Sequence, residues 1–314
     1  MRSNRRTRGN RAATGALRAQ RAPWLLHARK RFGQHFLEPA WADKVLRAIA
    51  PQPDDTFLEI GPGRGALTRA LTASARQVVA VEIDRDLASA LRATAPSNLT
   101  IEEGDFLNVT PERVRALLEG DARPSTTDSR LQTIDSRPQT IDSRLRVAGN
   151  LPYNIASPIL FKLTALYAAG LPLRDATVML QREVADRLTA APGTRDYGVL
   201  AVLIGHRAEV ERVLALPPGA FRPPPKVRSA LVRLRFHPPA PKAKDESVFA
   251  AMVQAVFTRR RKTLANALRA FSAANHRSPA ETLAKAGING IRRPETLGID
   301  ELVRVADALV TESR

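Results

Sequence analysis

Residues 57–71 read FLEIGPGRGALTRAL, which is a short apolar run, a glycine-rich turn and the start of an amphipathic helix. An apolar run bounded by a glycine turn predicts a buried strand. Gly61 and Gly63 permit a tight turn and let a ligand approach bare backbone. The helix that follows offers free N–H groups in its first turn. The stretch therefore predicts the opening strand and ligand-binding loop of an α/β sheet.

Two acidic residues further along the chain narrow the kind of ligand. Glu82 closes the next apolar run, where a carboxylate can accept hydrogen bonds from both hydroxyls of a ribose. Asp105 follows a third run, where it can accept a hydrogen bond from an adenine amino group. Together they predict an adenosine-containing cofactor. Because Gly61, Gly63 and Ala66 also fit the dinucleotide fingerprint, these residues alone leave a nicotinamide dinucleotide and S-adenosylmethionine both open.

Strand-like and helix-like patterns alternate from about residue 29 to residue 237. The strand candidates are 56–60, 77–81, 99–102, 145–148, 176–180, 208–213 and 230–236. The helix candidates are 40–50, 65–73, 85–95, 111–118, 157–168 and 183–188. Repeated β-then-α units predict a parallel sheet with helices on both faces. The last two strands lack a long helix between them, so we expect a seven-stranded sheet whose last strand is antiparallel.

Composition shifts divide the chain. Residues 1–28 are rich in arginine and poor in apolar anchors, which predicts a disordered basic tail. Residues 121–144 contain the repeat LQTIDSR-PQTIDSR, which predicts a solvated insertion loop. After a proline-rich linker, apolar residues at helical spacing predict a small all-helical C-terminal domain over 241–314. The α/β domain is then expected over 29–240.

The composition favours a polyanionic partner and excludes several kinds of site. The formal net charge is +18, which favours nucleic acid. With no cysteine and five scattered histidines, neither disulfides nor a metal centre are expected. No apolar run reaches the roughly 18 residues of a membrane-spanning helix, and no apolar signal core follows the N-terminus. We expect a cytoplasmic protein, although the arginine-rich residues 1–31 leave a transit peptide open.

The stretch that selects the chemistry is AGNLPYNIASP at 148–158. Its residues Asn150-Leu151-Pro152-Tyr153 are similar to the (N/D/S)PP(Y/F)-type motif of adenine-N6 methyltransferases, and the NLPY form resembles the ribosomal RNA adenine dimethylases. The resemblance implies a Rossmann-like class I methyltransferase sheet and S-adenosyl-L-methionine as the cofactor. A nicotinamide dehydrogenase has no use for this motif, and the chain offers no residue that we can identify as its proton relay.

The residue types of this motif fit methyl transfer to adenine N6. That amine is a poor nucleophile because its lone pair is delocalised into the ring. The Asn150 side-chain oxygen and the Pro152 carbonyl would accept its two N–H bonds, orient the lone pair and offset the developing positive charge. Asn150 would also contact the cofactor. Tyr153 would stack on the base, a contact worth about 1–3 kcal/mol.

Two further stretches resemble the same family. HARKRFGQHFL at 27–37 resembles its opening motif, in which basic residues precede GQNFL. His35, at the position where asparagine is frequent, and Leu37 would line the cofactor. VMLQREVADRL at 178–188 resembles the family segment that follows the fifth strand.

The remaining resemblance concerns the substrate. FRPPPKVRSALVRL at 221–234 resembles the family's F-x-P-x-P-K-V-x-S segment. It implies that Phe221 forms the second face of an aromatic clamp on the adenine and that Lys226 lies near a backbone phosphate. The stretch VFTRRRKTLANAL at 256–268 predicts a helix with a basic cluster for RNA phosphates. The cluster consists of Arg259, Arg260, Arg261 and Lys262.

The last two stretches look like one branch of the family. That branch makes two adjacent N6,N6-dimethyladenines near the 3′ end of 16S rRNA, late in assembly of the small ribosomal subunit. We therefore expect the immature small subunit as partner, and a monomeric enzyme. Two alternatives remain open, namely a large-subunit dimethylase that confers macrolide resistance and an RNA-binding assembly checkpoint in which catalysis is secondary.

Overall fold

The computed structural model describes residues 34–119, 145–274 and 277–310. The predicted tail at 1–28 and insertion at 121–144 lie outside the described residues. The strands are β1 (Phe36–Leu37), β2 (Thr56–Ile60), β3 (Gln77–Glu82), β4 (Leu99–Glu103), β5 (Leu145–Asn150), β6 (Leu173–Gln181), β7 (Ala208–Leu216), β8 (Phe221–Arg222) and β9 (Ser229–Phe236). The helices are α1 (Pro39–Ile49), α2 (Ala66–Thr72), α3 (Arg85–Arg92), α4 (Pro111–Glu119), α5 (Ala156–Ala168), α6 (Arg182–Leu188), α7 (Val199–Gly205), α8 (Glu246–Phe257), α9 (Leu264–Ala274), α10 (Pro279–Ala286) and α11 (Ile299–Leu309).

Seven of the strands form one sheet in the order β4-β3-β2-β5-β6-β9-β7. The strands from β4 to β6 are parallel to their neighbours, whereas β9 is antiparallel to both β6 and β7. The predicted fold class, a seven-stranded α/β sheet with an antiparallel last strand, is thereby confirmed. The short strands β1 and β8 pair with each other as a second sheet, which the sequence did not predict because two residues show no period.

Helices cover both faces of the large sheet, as the alternating pattern predicts. Leu58 and Ile60 of β2 belong to a buried cluster that includes residues of α4 and α5. Phe57, on the opposite face of the same strand, packs in another cluster with residues of α1 and α2. Burial of one such side chain stabilises the fold by about 1.5–3 kcal/mol, and the period of two along the strand divides these side chains between the two faces.

Helices α8 to α11 share a separate buried cluster with α7. From the α/β region, Tyr197, Ala201 and Val202 pack into this cluster, and the Tyr197 hydroxyl donates a hydrogen bond to the Leu297 carbonyl at 3.0 Å. Burial raises the pKa of Tyr197 to about 12. The sequence did not predict α7, because VLAVLIG is apolar on every side and shows no helical period.

The prediction that the basic cluster at 259–262 lies on a helix is wrong. Helix α8 ends at Phe257 with Thr258 as its C-cap, and residues 259–262 form a turn. The Thr258 hydroxyl donates to the Ala255 carbonyl at 2.6 Å, competing with the backbone of the last helical turn. The four cations are thus presented by a turn between α8 and α9 instead of by a helix face.

A buried arginine ties together the amino-terminal edge of the sheet. Arg146 of β5 is only 4% exposed, and its guanidinium lies 2.8 Å from Asp55 and 3.0 Å from Asp175. It also donates to the carbonyls of Ile49 at 2.8 Å and Ala50 at 3.2 Å. The guanidinium therefore links β5 to the end of α1, to the residue before β2 and to β6.

We expect Arg146→Ala to lower the free energy of unfolding by about 3–5 kcal/mol, because it leaves two buried carboxylates without their cation. Arg174→Ala is the matched control. Its side chain is 57% exposed and lies 3.9 Å from Asp55, so its loss is expected to change stability by less than about 1 kcal/mol. Urea unfolding of both variants measures the difference. Equal effects would show that the buried Arg146 network does not stabilise the fold in the way described.

Candidate active site

The carboxyl-terminal ends of β2, β3 and β5 border one cavity. Because these strands are parallel neighbours, the segments that follow them meet at the same edge of the sheet. The cavity brings together eight of the predicted site residues, which are His35, Leu37, Gly61, Gly63, Glu82, Asn150, Pro152 and Tyr153. The placement agrees with a joint site for a cofactor and an acceptor base.

A close approach of two strands sets the spacing of this cavity. A Cβ atom added to Gly149 of β5 would lie 2.5 Å from the Ile60 carbonyl of β2, closer than real Cβ atoms come to a backbone atom. At the next position, a Cβ on Gly61 would lie 3.9 Å from the Asn150 carbonyl. Glycine at 149 therefore allows the strand that ends in Asn150 to lie directly beside the glycine turn.

The glycine turn is organised around the buried carboxylate of Glu82. Gly61 and Gly63 have φ values of 65° and 58°, a region that glycine occupies without strain. One Glu82 oxygen accepts the Gly63 N–H and the other accepts the Asp84 N–H, both at 2.9 Å. Burial raises the pKa of Glu82, and these backbone donors oppose the shift. Each oxygen keeps a second lone pair for a ligand hydroxyl.

The Asn150 side chain presents a buried acceptor to the cavity. Its Nδ2 donates to the His35 carbonyl at 2.6 Å. A carbonyl can only accept, so this bond fixes which end of the amide is the nitrogen. The Oδ1 atom is buried and has no hydrogen-bond partner among the described residues. Such an atom is costly unless a ligand supplies a donor, so the site is built to receive an N–H group.

Pro152 and Tyr153 continue the turn after Asn150. The Pro152 carbonyl already accepts the Ile155 N–H at 3.1 Å. The Tyr153 ring is half-buried, and its hydroxyl shares a 2.6 Å hydrogen bond with the Ser229 hydroxyl. This bond anchors the ring to β9 and keeps it at the cavity wall.

The predicted clamp role of Phe221 is wrong in this structure. Its side chain is 0% exposed and packs in the cluster with Leu37 and residues of α1. The backbone of Phe221 pairs with Leu37 across the small sheet. The residue therefore supports the cavity floor from below and presents no face to a base.

The other predicted site residues lie outside the cavity lining. Asp105 accepts the Leu107 N–H at 2.9 Å and so caps a short 3₁₀ helix. Lys226 is exposed on the loop between β8 and β9. The basic turn at 259–262 lies between α8 and α9, and one of its guanidinium groups, from Arg260, donates to the Arg195 carbonyl at 2.8 Å.

Glu59 is a cavity residue that the sequence reasoning missed. It occupies an inward position of β2, is 1% exposed and lines the cavity. Burial, with the nearby charge of Glu82, raises the pKa of Glu59 to about 8. Its Oε2 atom has no hydrogen-bond partner among the described residues. A glutamate inside the apolar run FLEI was the available signal, because buried charges need a reason.

Comparison with known proteins decides the family. The model of the family described as "Ribosomal RNA adenine dimethylase" matches residues 25–308. The chain belongs to the ribosomal RNA adenine dimethylase family. Its curated relatives include "Ribosomal RNA small subunit methyltransferase A" of Pseudomonas fluorescens strain Pf-5, which is 42% identical over 91% of this chain and 96% of that protein. The protein of the same name from Acinetobacter baylyi is 40% identical, over 90% and 93% of the two chains.

Solved structures agree with the dimethylase fold. A dimethyladenosine transferase from Plasmodium falciparum superposes with a TM-score of 0.63 at 23% identity, over 86% of this chain and 96% of that one. The 23S rRNA methyltransferase ErmE superposes with a TM-score of 0.55 at 26% identity, over 87% and 99%. The seven-stranded sheet with its antiparallel β9 is thus the architecture of class I methyltransferases.

As a dimethylase of this family, the protein is an S-adenosylmethionine-dependent methyltransferase, and the nicotinamide alternative is excluded. The cavity fits that cofactor. A Cβ on Gly63 would come within 3.0 Å of the Phe36 ring, so glycine lets the turn pack against Phe36, which also lines the cavity. The Glu82 carboxylate lies in the same cavity and suits ribose hydroxyls, while the buried Glu59 carboxyl, whose pKa is raised, adds a second polar group to the lining.

Neither a membrane-spanning helix nor a metal-binding cluster occurs among the residues that the structure describes. None of the helices described is both long and apolar enough to cross a membrane. Over the same residues, no group of three or more His, Cys, Asp or Glu side chains is arranged to hold a metal ion.

The buried Glu59 carboxyl makes stability depend on pH. Because its pKa is about 8 in the fold, against 4.5 for an unperturbed glutamate, the folded protein keeps a proton that the unfolded chain releases. The free energy of unfolding should therefore fall as pH rises from about 5 to about 8. We expect Glu59→Gln to lack this pH-dependent loss of stability. The free energy of unfolding of the variant, relative to that of the wild type, should therefore rise between about pH 5 and about pH 8. Urea unfolding at several pH values measures it, and a constant difference would contradict the assignment.

Proposed function

We propose that this protein transfers methyl groups to the N6 amines of two adjacent adenines near the 3′ end of 16S rRNA, within the immature small ribosomal subunit. Relatives that carry the name "Ribosomal RNA small subunit methyltransferase A" are 40–42% identical over about nine-tenths of the chain, whereas the 23S rRNA methyltransferase ErmE is 26% identical. This difference favours the small-subunit substrate over the large-subunit alternative.

The observation that carries the proposal is the unpartnered Asn150 Oδ1 atom beside the glycine turn. An adenine amine offers two N–H donors, and this buried oxygen accepts one of them. The bond draws the N6 lone pair out of conjugation and points it across the cavity. It also places a partial negative charge where positive charge develops on nitrogen, in a site with little water to screen it.

A main-chain carbonyl of the same turn is the second acceptor for the amine. The Pro152 carbonyl is already used once, by the Ile155 N–H. The Leu151 carbonyl lies one residue closer to Asn150, and Leu151 also lines the cavity. We therefore assign the second acceptor to Leu151 in preference to Pro152, which revises the expectation from the sequence.

S-adenosylmethionine would supply a sulfonium methyl group: attack by the oriented amine would break the carbon–sulfur bond and release S-adenosylhomocysteine, and the amine proton would pass to solvent. The residues of this chain position the reactants and need no strong base. Glu82 receives the ribose hydroxyls of the cofactor, and the close approach at Gly149 keeps Asn150 next to the glycine turn. Tyr153, held by Ser229, provides a flat face for the base.

Basic residues of the turn between α8 and α9 lie next to the loop between α6 and α7. The guanidinium of Arg260 donates to the Arg195 carbonyl of this loop. We place rRNA phosphates against the basic turn and Lys226, in a monomeric enzyme working in the cytoplasm where ribosomes assemble.

The direct test is methylation of purified immature small subunits, with mass mapping of the modified nucleotides. We expect two adjacent dimethyladenines near the 3′ end of 16S rRNA. Methyl groups on large-subunit RNA would assign the resistance branch instead.

We expect Asn150→Ala to abolish transfer because the amine loses its acceptor, while S-adenosylhomocysteine still raises the Tm of the variant. Near-normal turnover in this variant would contradict the role of Asn150. If the inactive variant still binds the immature subunit tightly and supports its assembly, the checkpoint alternative would be favoured.

The basic turn can be tested through the salt dependence of RNA binding. Each phosphate contact contributes about 0.7 to the slope of log K against log salt for a single strand. We expect Arg261→Ala with Lys262→Ala to lower that slope by about 1.4. The control is Arg92→Ala with Arg115→Ala, which removes the same charge from α3 and α4 near the far edge strand β4. Equal slopes for the two double variants would show that the turn makes no specific contact.

A further inference from the structure

A histidine ring covers the tyrosine that should receive the target base. The rings of His35 and Tyr153 are stacked, with centroids 5.4 Å apart and an angle of 25° between their planes. Both residues line the cavity. Carbon atoms in contact lie about 3.5–4.0 Å apart, so a base between the two rings would need their planes to be at least about 7 Å apart. The observed stack leaves no room for a base on this face of Tyr153.

Of the two rings, that of His35 is the one more readily moved. The Tyr153 hydroxyl is tied to Ser229 on β9. The His35 ring makes a hydrogen bond from Nδ1 to the Pro223 carbonyl at 2.7 Å. A carbonyl only accepts, so Nδ1 carries the proton. Pro223 lies on the exposed loop that also carries Lys226.

The main chain of His35 performs a separate task that does not depend on the ring. Its carbonyl accepts the Asn150 Nδ2–H at 2.6 Å and so fixes the orientation of the acceptor amide. Rotation of the imidazole about its side-chain torsions would open the Tyr153 face without breaking this bond. The residue can therefore uncover the base site while the Asn150 oxygen stays in position.

We propose that the His35 imidazole is a positioning residue that occupies the base-stacking face of Tyr153 until RNA displaces it. The proposal rests on the proposed function, since it concerns the same adenine site. Contact of RNA with the loop of Pro223 and Lys226 breaks the bond to the imidazole, and the target base then takes its place on Tyr153. Asparagine, which is frequent at this position in the family that the chain resembles, has no ring to stack on Tyr153.

A spectroscopic test observes the ring directly. With imidazole carbons labelled, the His35 signal, assigned through His35→Asn, should show the upfield ring-current displacement that Tyr153 causes. Addition of S-adenosylhomocysteine and a hairpin RNA with two adjacent loop adenines should move the signal to the position of an unstacked histidine. A ring-current shift that persists at saturating RNA would overturn the proposal. This readout needs no turnover, so absence of methylation by the wild type would refute the proposed function separately.

Kinetics give the second readout. Loss of a competing aromatic stack should lower the KM for RNA about three-fold to ten-fold in His35→Ala and His35→Asn. His35→Phe, which restores a ring, should return the KM to the wild-type value or above. The control is His237→Asn, because His237 makes the same kind of Nδ1 bond, to the Pro238 carbonyl at 2.7 Å, on an exposed segment. An unchanged or raised KM in His35→Ala would overturn the proposal.

Discussion

The contact between β2 and β5 at Gly149 is the constraint on which the site depends. No side chain fits there, since a Cβ would lie 2.5 Å from the Ile60 carbonyl. The two strands consequently end side by side, one in the glycine turn and the other in Asn150. In the proposed function, a cofactor on the first and a base on the second lie within reach of each other. Proximity of this kind supplies much of what a methyl transfer requires.

The two edges of the sheet satisfy their polar groups in opposite ways. At the amino-terminal edge, Arg146 pairs with two buried carboxylates. At the carboxyl-terminal edge, Asn150 Oδ1 and Glu59 Oε2 are buried without partners among the described residues. An unsatisfied group in a low-dielectric setting destabilises the protein unless a ligand supplies its partner. The two ends of the same strands therefore differ, because the protein's own side chains satisfy the polar groups at one end and a ligand can satisfy them at the other.

The sequence predicted the seven strands of the sheet and most of the cavity, because strand periodicity and the turn motifs are local signals. It failed where the outcome depends on distant residues. Phe221 has an aromatic side chain in a suggestive motif, but its pairing with Leu37 buries it. The helix through Arg259 continued an apolar period that Thr258 interrupts. Glu59 lies in a strand whose other residues are typical of a buried core, and only the folded structure shows that it lines the cavity.

The free oxygen of Asn150 also bears on how often the reaction can repeat. In the proposed reaction this oxygen accepts an N–H bond from the amine, and every methyl group that the nitrogen gains removes one N–H. Adenine begins with two such hydrogens, retains one after the first transfer and has none after the second. The fully substituted base can no longer be held by the acceptors that selected it. A limit of two methyl groups therefore follows from the valence of nitrogen, and the product is released by the same groups that bound the substrate.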